Sequence, residues 1–280
     1  MRDDIRLVGL DLDGTLLDGQ RKLTQRTIDA LRLASEHGIH MVIDSGRAFM
    51  AVPEEIRALP FMRYFILCNG ASIYDKQEDR ILYSAEIPLE ASLEIYDAMT
   101  EHPDMYCDCY LSDGAWARGA DFDRIEEFVA DPTHRDVLYK TRTPKADLRA
   151  ALIERDKPVQ KFQGIYMDTA TRDAELRRLQ ERFPQMGLTT AYTYTLEINM
   201  PEATKGIGLL KLAEILGLKR EQTASFGDSA NDLAMLECAG IGYAMENADE
   251  KTKAVADRIA PPNTVDGVAQ VLEAWVREMG

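Results

Sequence analysis

The sequence predicts an α/β protein: a doubly wound parallel sheet interrupted by an inserted α+β domain. Three observations predict it. Short apolar runs alternate with amphipathic helical segments toward both ends of the chain, the pattern of a parallel sheet covered on both faces. Four polar clusters stand where those runs stop or just before a helix begins. Between the two ends the pattern changes to paired strands around hairpin turns.

Taken in order, Ile5–Leu10 reads as a strand stopped by Asp11. Thr24 is placed to cap an amphipathic helix running to about His37, and Gly38 supplies its stop. A second strand, Ile39–Ile43, ends at Asp44-Ser45-Gly46-Arg47. A helix is expected around Ala48–Leu59, then the strand Tyr64–Cys68, which ends at Asn69-Gly70. In the middle, Met105–Leu111 and Ala115–Arg118 flank Ser112-Asp113-Gly114, a hairpin turn. Val159–Met167, a helix over Arg172–Phe183 and Gly187–Tyr194 complete an α+β layer. The parallel pattern is expected to resume with the strand Leu196–Met200 and the helix Gly206–Leu216, closed by Gly217. Thr223–Phe226 is a strand that ends at Gly227-Asp228-Ser229-Ala230-Asn231-Asp232. The strand Ile241–Ala244 and helices near Asp249–Val255 and Val265–Met279 finish the fold. The expected division is 1–84 with 192–280 for the core and 85–191 for the insertion.

Bulk composition narrows the function. A chain of 280 residues, 45% hydrophobic and 29% charged, is an ordinary globular protein large enough for two lobes. Its formal charge of −15 argues against nucleic acid or an anionic membrane surface as a partner. No stretch approaches the ~18 apolar residues of a membrane span, and the apolar run before Asp11 is too short for a secretory signal. Cys68, Cys107, Cys109 and Cys238 read as reduced thiols of a cytoplasmic protein. Cys107 and Cys109 read as strand residues, since neither a second pair nor a nearby histidine completes a zinc set.

The segment Asp11-Leu12-Asp13-Gly14-Thr15 carries the most information. The i, i+2 spacing puts both carboxylates on one side of an extended chain, and Gly14 lets the chain turn away. Two carboxylates that close repel by about 4 kcal/mol at an effective dielectric of ~20, and a divalent cation is the simplest counter-charge. Ser45-Gly46-Arg47, Lys205 and the Asp228/Asn231/Asp232 group fall on the same predicted sheet edge. Each alone suits a bland role, as an N-cap, a solvated lysine or a charged helix start. Together they hold the parts of phosphoryl transfer: a carboxylate nucleophile, oxygen ligands for a hard cation, donors for the phosphoryl oxygens and an acid for the leaving alcohol.

Those four segments resemble the four motifs of the haloacid dehalogenase-like phosphatase superfamily, and the chain is similar to them end to end. The insertion, the Asn69-Gly70-Ala71 turn and the Leu196-Glu197-Ile198…Lys205-Gly206 segment resemble its Cof-type branch. The resemblance implies a Rossmann-like core with a substrate-specificity cap, and an Mg²⁺-dependent phosphatase acting through an aspartyl-phosphate. It implies that Asp11 attacks phosphorus and binds Mg²⁺, and that Asp13 acts as acid and base while giving the metal its backbone carbonyl. Asp228 is implied as the third metal ligand, with Asp232 behind it, orienting Lys205 or a water on the metal. Ser45, Gly46, Lys205 and Asn231 are implied to hold the phosphoryl oxygens. Arg47 is placed either to reach the substrate phosphate or to make a surface salt bridge. Many relatives carry Ala-Thr where this chain has Asp44-Ser45; serine keeps the hydroxyl, and Asp44 is expected either near the anion or turned back into the fold toward a partner.

A cap this small admits small phosphorylated metabolites, which in the family include sugar phosphates, flavin mononucleotide and pyridoxal phosphate. Tyr110, Trp116 and Arg118 are its candidates for substrate contact, or alternatively pack inside it. A monomer or small homo-oligomer is expected. Two other functions share these parts. A phosphosugar mutase returns the phosphoryl group to the sugar, and a phospho-acceptor signalling module keeps it, though such a module needs neither Asp13 nor the insertion.

Overall fold

The computed structural model describes residues 4–190 and 193–279, so the expected boundary at 191/192 lies outside the described residues. The chain divides into two compact units, one running to Tyr83 and resuming at Thr204, the other spanning Ser84–Ala203.

The first unit opens with β1 (Leu7–Leu10), β2 (His40–Asp44), β3 (Tyr64–Leu67), β4 (Ser72–Asp75) and β5 (Arg80–Ser84). The second contains β6 (Met105–Leu111), β7 (Gly114–Arg118), β8 (Thr143–Lys145), β9 (Lys161–Tyr166), β10 (Gly187–Thr189) and β11 (Thr195–Asn199). The chain then completes the first with β12 (Thr223–Gly227), β13 (Ile241–Met245) and β14 (Arg258–Ala260). The first sheet has the order β14-β13-β12-β1-β2-β3-β4-β5. It is parallel from β14 to β3, and β4 returns antiparallel on β3. All four residues of β1 are buried, as a central strand covered on both faces requires.

Local chemistry sets the connections. Thr24 accepts the Thr27 N–H at 3.1 Å and starts the helix Gln25–Glu36, and Gly38 stops it at φ +81°. The single helix expected around Ala48–Leu59 is instead a short turn, Phe49–Ala51, and one helical turn, Glu54–Arg57. Pro53 is the reason, since it holds Val52 in an extended conformation between the two pieces.

The second sheet runs β10-β11-β9-β6-β7-β8 and is antiparallel except between β7 and β8. It corrects one expectation. The strand Leu196–Met200, expected to reopen the parallel core, is β11 of this sheet and pairs with β9 and β10. Leu196 and Ile198 pack into this unit's apolar core with Ile95, Met105, Phe162 and Leu179, while Thr195, Glu197 and Asn199 take the other face. Burial on both faces makes β11 look like a core strand. Only its pairing partner, which lies far away in sequence, tells the two apart.

Candidate active site

The loops that leave β1, β2, β3 and β12 gather at the carboxyl edge of the parallel sheet. The first begins at Asp11, whose N–H donates to the Phe226 carbonyl of β12 at 3.1 Å. One wide turn follows, with Leu16 N–H donating to Asp11 O at 3.2 Å and Leu17 N–H to Leu12 O at 2.9 Å. Gly14 takes φ +84°, and a Cβ there would sit 2.3 Å from Asp228 Oδ2. Glycine is therefore required twice, for the backbone angle and for the approach of a carboxylate from the opposite end of the chain. Thr15 Oγ1 donates to Asp228 Oδ1 at 3.1 Å, and Asn247 Nδ2 donates to the Gly14 carbonyl at 2.8 Å.

Lys205 opens the helix Lys205–Ile215, whose cap is Thr204 accepting the Ile207 N–H at 3.2 Å. A Cβ on Gly206 would lie 2.3 Å from the Ala234 carbonyl, so this helix packs backbone to backbone against Leu233–Cys238. Lys205 is fully buried, and its Nζ donates to Asp11 Oδ1 at 2.5 Å and Asp232 Oδ1 at 2.6 Å. The other Asp232 oxygen accepts the N–H groups of Asp228 at 2.9 Å and Ser229 at 3.0 Å. Asp232 thus uses both oxygens to tie Lys205 to the loop that carries Asp228.

Charge in this cluster is unbalanced. Burial drives the Asp11 carboxyl well above its ordinary range, with Lys205 opposing and Asp232 and Asp228 adding to the rise. Burial and the Asp232 carboxylate push Asp228 up to about 7. Burial alone would lower the Lys205 ammonium, but Asp11, Asp232 and Asp44 outweigh it and the net shift is upward. One carboxylate oxygen each from Asp11, Asp228 and Asp232 lie within 4.8 Å of one another. Asp228 Oδ2 takes part in none of these hydrogen bonds and Asp11 Oδ1 accepts only one, so each has a lone pair for a hard cation while Asp11 Oδ2 stays open. The donor set of Asp11, Asp228 and Asp232 fits a divalent metal. The Asp13 carboxylate is not one of this trio.

In the loop after β2, Ser45 N–H donates to Ile66 O at 2.9 Å, and its Oγ accepts the Arg47 N–H at 3.3 Å. A Cβ on Gly46 would meet Asn69 Oδ1 at 2.7 Å, and Asn69 itself sits at φ +60°. Arg47 makes an ion pair with Asp13 Oδ2, 2.5 Å from Nη2 and 3.2 Å from Nε, and its Nη1 donates to Ala51 O at 3.0 Å. Asp44 does turn into the fold, but neither carboxylate oxygen finds a partner there. In the last motif, Asn231 Oδ1 accepts the Ser229 hydroxyl at 2.8 Å.

The three side chains expected to reach substrate from the insertion are engaged inside the second unit. Tyr110 OH meets Gln163 Oε1 at 3.2 Å, and its ring lies under the Arg142 guanidinium at 4.5 Å and the Lys161 ammonium at 4.2 Å. Trp116 packs on the apolar core with Lys145 over its ring at 4.3 Å, and Arg118 Nε donates to Asp121 at 2.6 Å. The sequence reading gave no role to Thr15, Asn69 or Asn247. All three follow the rule that found the others, a polar side chain just beyond a buried strand. Asn247 comes two residues after β13.

The match to known proteins covers nearly the whole chain. A family model described as haloacid dehalogenase-like hydrolase matches residues 8–272. A 5-amino-6-(5-phospho-D-ribitylamino)uracil phosphatase of Bacillus subtilis is 28% identical over 98% of this chain and 96% of its own length. A pyridoxal phosphate phosphatase of Escherichia coli is 29% identical over 95% of this chain and 97% of its own. The solved structure of a haloacid dehalogenase-like hydrolase from B. subtilis superposes with a TM-score of 0.81 at 27% identity, covering 96% of this chain and 99% of that one.

Proposed function

Because this chain belongs to the haloacid dehalogenase-like hydrolase family, we propose that it is a Cof-type phosphatase of small phosphorylated metabolites, with Asp11 as its nucleophile and Mg²⁺ as its metal. The observation that carries this reading is the meeting of Asp11, Asp228, Asp232 and Lys205 around one point at the end of β1. The likeness to phosphatases of a phosphorylated ribitylaminouracil and of pyridoxal phosphate supports a substrate of that size and charge.

Lys205 holds Asp11 Oδ1, which leaves Oδ2 to attack phosphorus. The new bond joins Oδ2 to phosphorus as the bond to the leaving alkoxide breaks, giving a mixed anhydride on Asp11. Asp13 hands the alkoxide a proton, then takes one from the water that cleaves the anhydride and regenerates the carboxylate. Arg47 covers Asp13 Oδ2, so the proton moves at that oxygen once Arg47 turns to the incoming phosphate. Ser45 Oγ, the Gly46 amide, Lys205 and Asn231 are the donors for the phosphoryl oxygens. A bound Mg²⁺, held by Asp11, Asp228 and the Asp13 carbonyl, supplies charge neutralisation for the attacking carboxylate and the phosphoryl group.

The test is phosphate release from a panel of phosphorylated metabolites with Mg²⁺ and with a chelator. Release that needs Mg²⁺ and vanishes in Asp11→Asn is expected. An isomerised sugar phosphate without free phosphate would make the protein a mutase, and a long-lived phosphoprotein would make it an acceptor.

A further inference from the structure

Asp44 differs from Asp11, Asp228 and Asp232, each of which has a hydrogen-bond partner. It is fully buried, and neither of its carboxylate oxygens has a hydrogen-bond partner among the described residues. Native proteins satisfy buried polar groups almost throughout, and an orphaned one costs about 1–3 kcal/mol, more when charged. A residue kept at that cost invites a functional explanation.

Its surroundings identify one. Leu10 of β1 and Ile43 of β2 are register partners, so Asp11 and Asp44 stand side by side one residue beyond them. By alternation Asp44 shares the sheet face of Val42, which packs against Leu209 and Leu212 of the helix that Lys205 opens. The Lys205 ammonium is the group that opposes burial at Asp44, while Asp232 and Asp11 act with burial. Lys205 for its part uses two of its three N–H donors, one on Asp11 and one on Asp232. An ammonium with a donor to spare thus stands near a carboxylate with two acceptors to spare.

We propose that Asp44 is a positioning residue for Lys205, the acceptor that keeps the ammonium aimed at the phosphoryl group while Asp11 is phosphorylated. The proposal rests on the reading of Asp11 as nucleophile. Once Asp11 carries phosphorus it is no longer a carboxylate, and the charge-assisted bond to Lys205 weakens. Asp232 alone cannot fix the ammonium, because its other oxygen is committed to the Asp228 and Ser229 amides. Asp44, directly or through one bridging water, supplies the second anchor. Its demand arises after substrate binding, so its loss shows in kcat more than in KM.

The experiment uses the full chain with Mg²⁺, p-nitrophenyl phosphate as substrate, and beryllium fluoride as a mimic of phosphoryl-aspartate. For Asp44→Ala, kcat is expected to fall about tenfold with KM changed less than about threefold. Beryllium fluoride binding is expected to weaken by a similar factor, about tenfold. Asp44→Asn keeps the volume and one acceptor oxygen; it is expected to lose about threefold in kcat, with a melting temperature at or above that of the parent. A purely structural Asp44 gives the opposite pattern, a lower melting temperature with kcat and fluoride affinity intact, and that result overturns the proposal. If the alanine variant does not fold, the asparagine variant decides, and parental kcat and affinity in it overturn the proposal. If the parent protein itself neither releases phosphate nor binds beryllium fluoride at Asp11, the nucleophile reading fails and takes the proposal with it.

Discussion

Each unit buries a cluster of charged side chains, and the two clusters are built differently. In the second unit Arg142 pairs with Asp108 at 2.7 Å, Lys161 pairs with Glu197, and Tyr110 lies against both cations. Two cations meet two carboxylates. At the edge of the parallel sheet, the single ammonium of Lys205 faces Asp11, Asp232, Asp44 and Asp228. Burial raises Asp108 and Arg142 opposes the rise, one guanidinium facing one carboxylate. At the sheet edge no second buried cation does this among the described residues, and Asp228 reaches about 7. Balanced charges lock a β-sheet in register; unbalanced ones ask for a cation from solution and a reaction that uses it.

The contrast predicts that breaking the sheet-edge cluster removes activity and breaking the cluster of the second unit removes stability. Asp11→Asn keeps a carbonyl for Lys205 and relieves repulsion, so the variant is expected to fold with an unchanged or higher melting temperature. Turnover should fall by roughly four to six orders of magnitude, since a covalent nucleophile has no substitute. Steady-state phosphate release beside thermal denaturation checks both halves. Lys161→Met leaves Glu197 buried without its cation, and a loss of about 3–5 kcal/mol is expected in chemical denaturation. Adding Glu197→Leu should recover most of it. A single Lys161 variant as stable as the parent would break the comparison.

The sequence makes the sheet-edge cluster legible and hides the other. Asp11, Asp13 and Asp228 follow apolar runs at points where a buried strand has no use for charge, and Lys205 gains its meaning from its place in their order. Lys161 and Glu197 sit inside strands, and each looks like the solvent face of an alternating pattern until the pairing of β9 with β11 is known. The same missing knowledge put β11 in the wrong sheet. Arg47 is legible as a cation near phosphate. That it rests on Asp13 is not, because thirty-odd intervening residues separate the two loops and only the folded edge joins them. Gly14 is the most economical signal: the approach of Asp228 explains why no side chain stands there.

Protons sharpen the comparison further. The folded value of Asp228, about 7, lies above its ordinary 3.8, so in metal-free protein this group favours folding fully only below about 4 and the contribution is lost as pH rises through 7. Metal-free melting temperature is therefore expected to decline between pH 5 and 8, and Mg²⁺ to reverse the decline by replacing the proton with a cation. Differential scanning calorimetry with and without Mg²⁺ reads this directly. A metal-free curve flat across that window would mean the cluster has found its counter-charge within the chain.

The smallest expected effect concerns how Asp228 is aimed. Thr15→Val removes one hydroxyl that donates to Asp228 Oδ1 and leaves the shape of the turn intact. A hydrogen bond to a charged acceptor contributes about 1.5–3 kcal/mol when buried, less at a half-exposed site, so a loss near 1 kcal/mol in metal affinity, about fivefold, is reasonable. Isothermal titration with Mg²⁺ measures it. Because the Thr15 hydroxyl donates to Asp228, the loss should appear in metal affinity, and kcat at saturating Mg²⁺ should stay within about twofold. A variant with normal metal affinity and a crippled kcat would instead place Thr15 on the phosphoryl group, and the cation would then be held without its help.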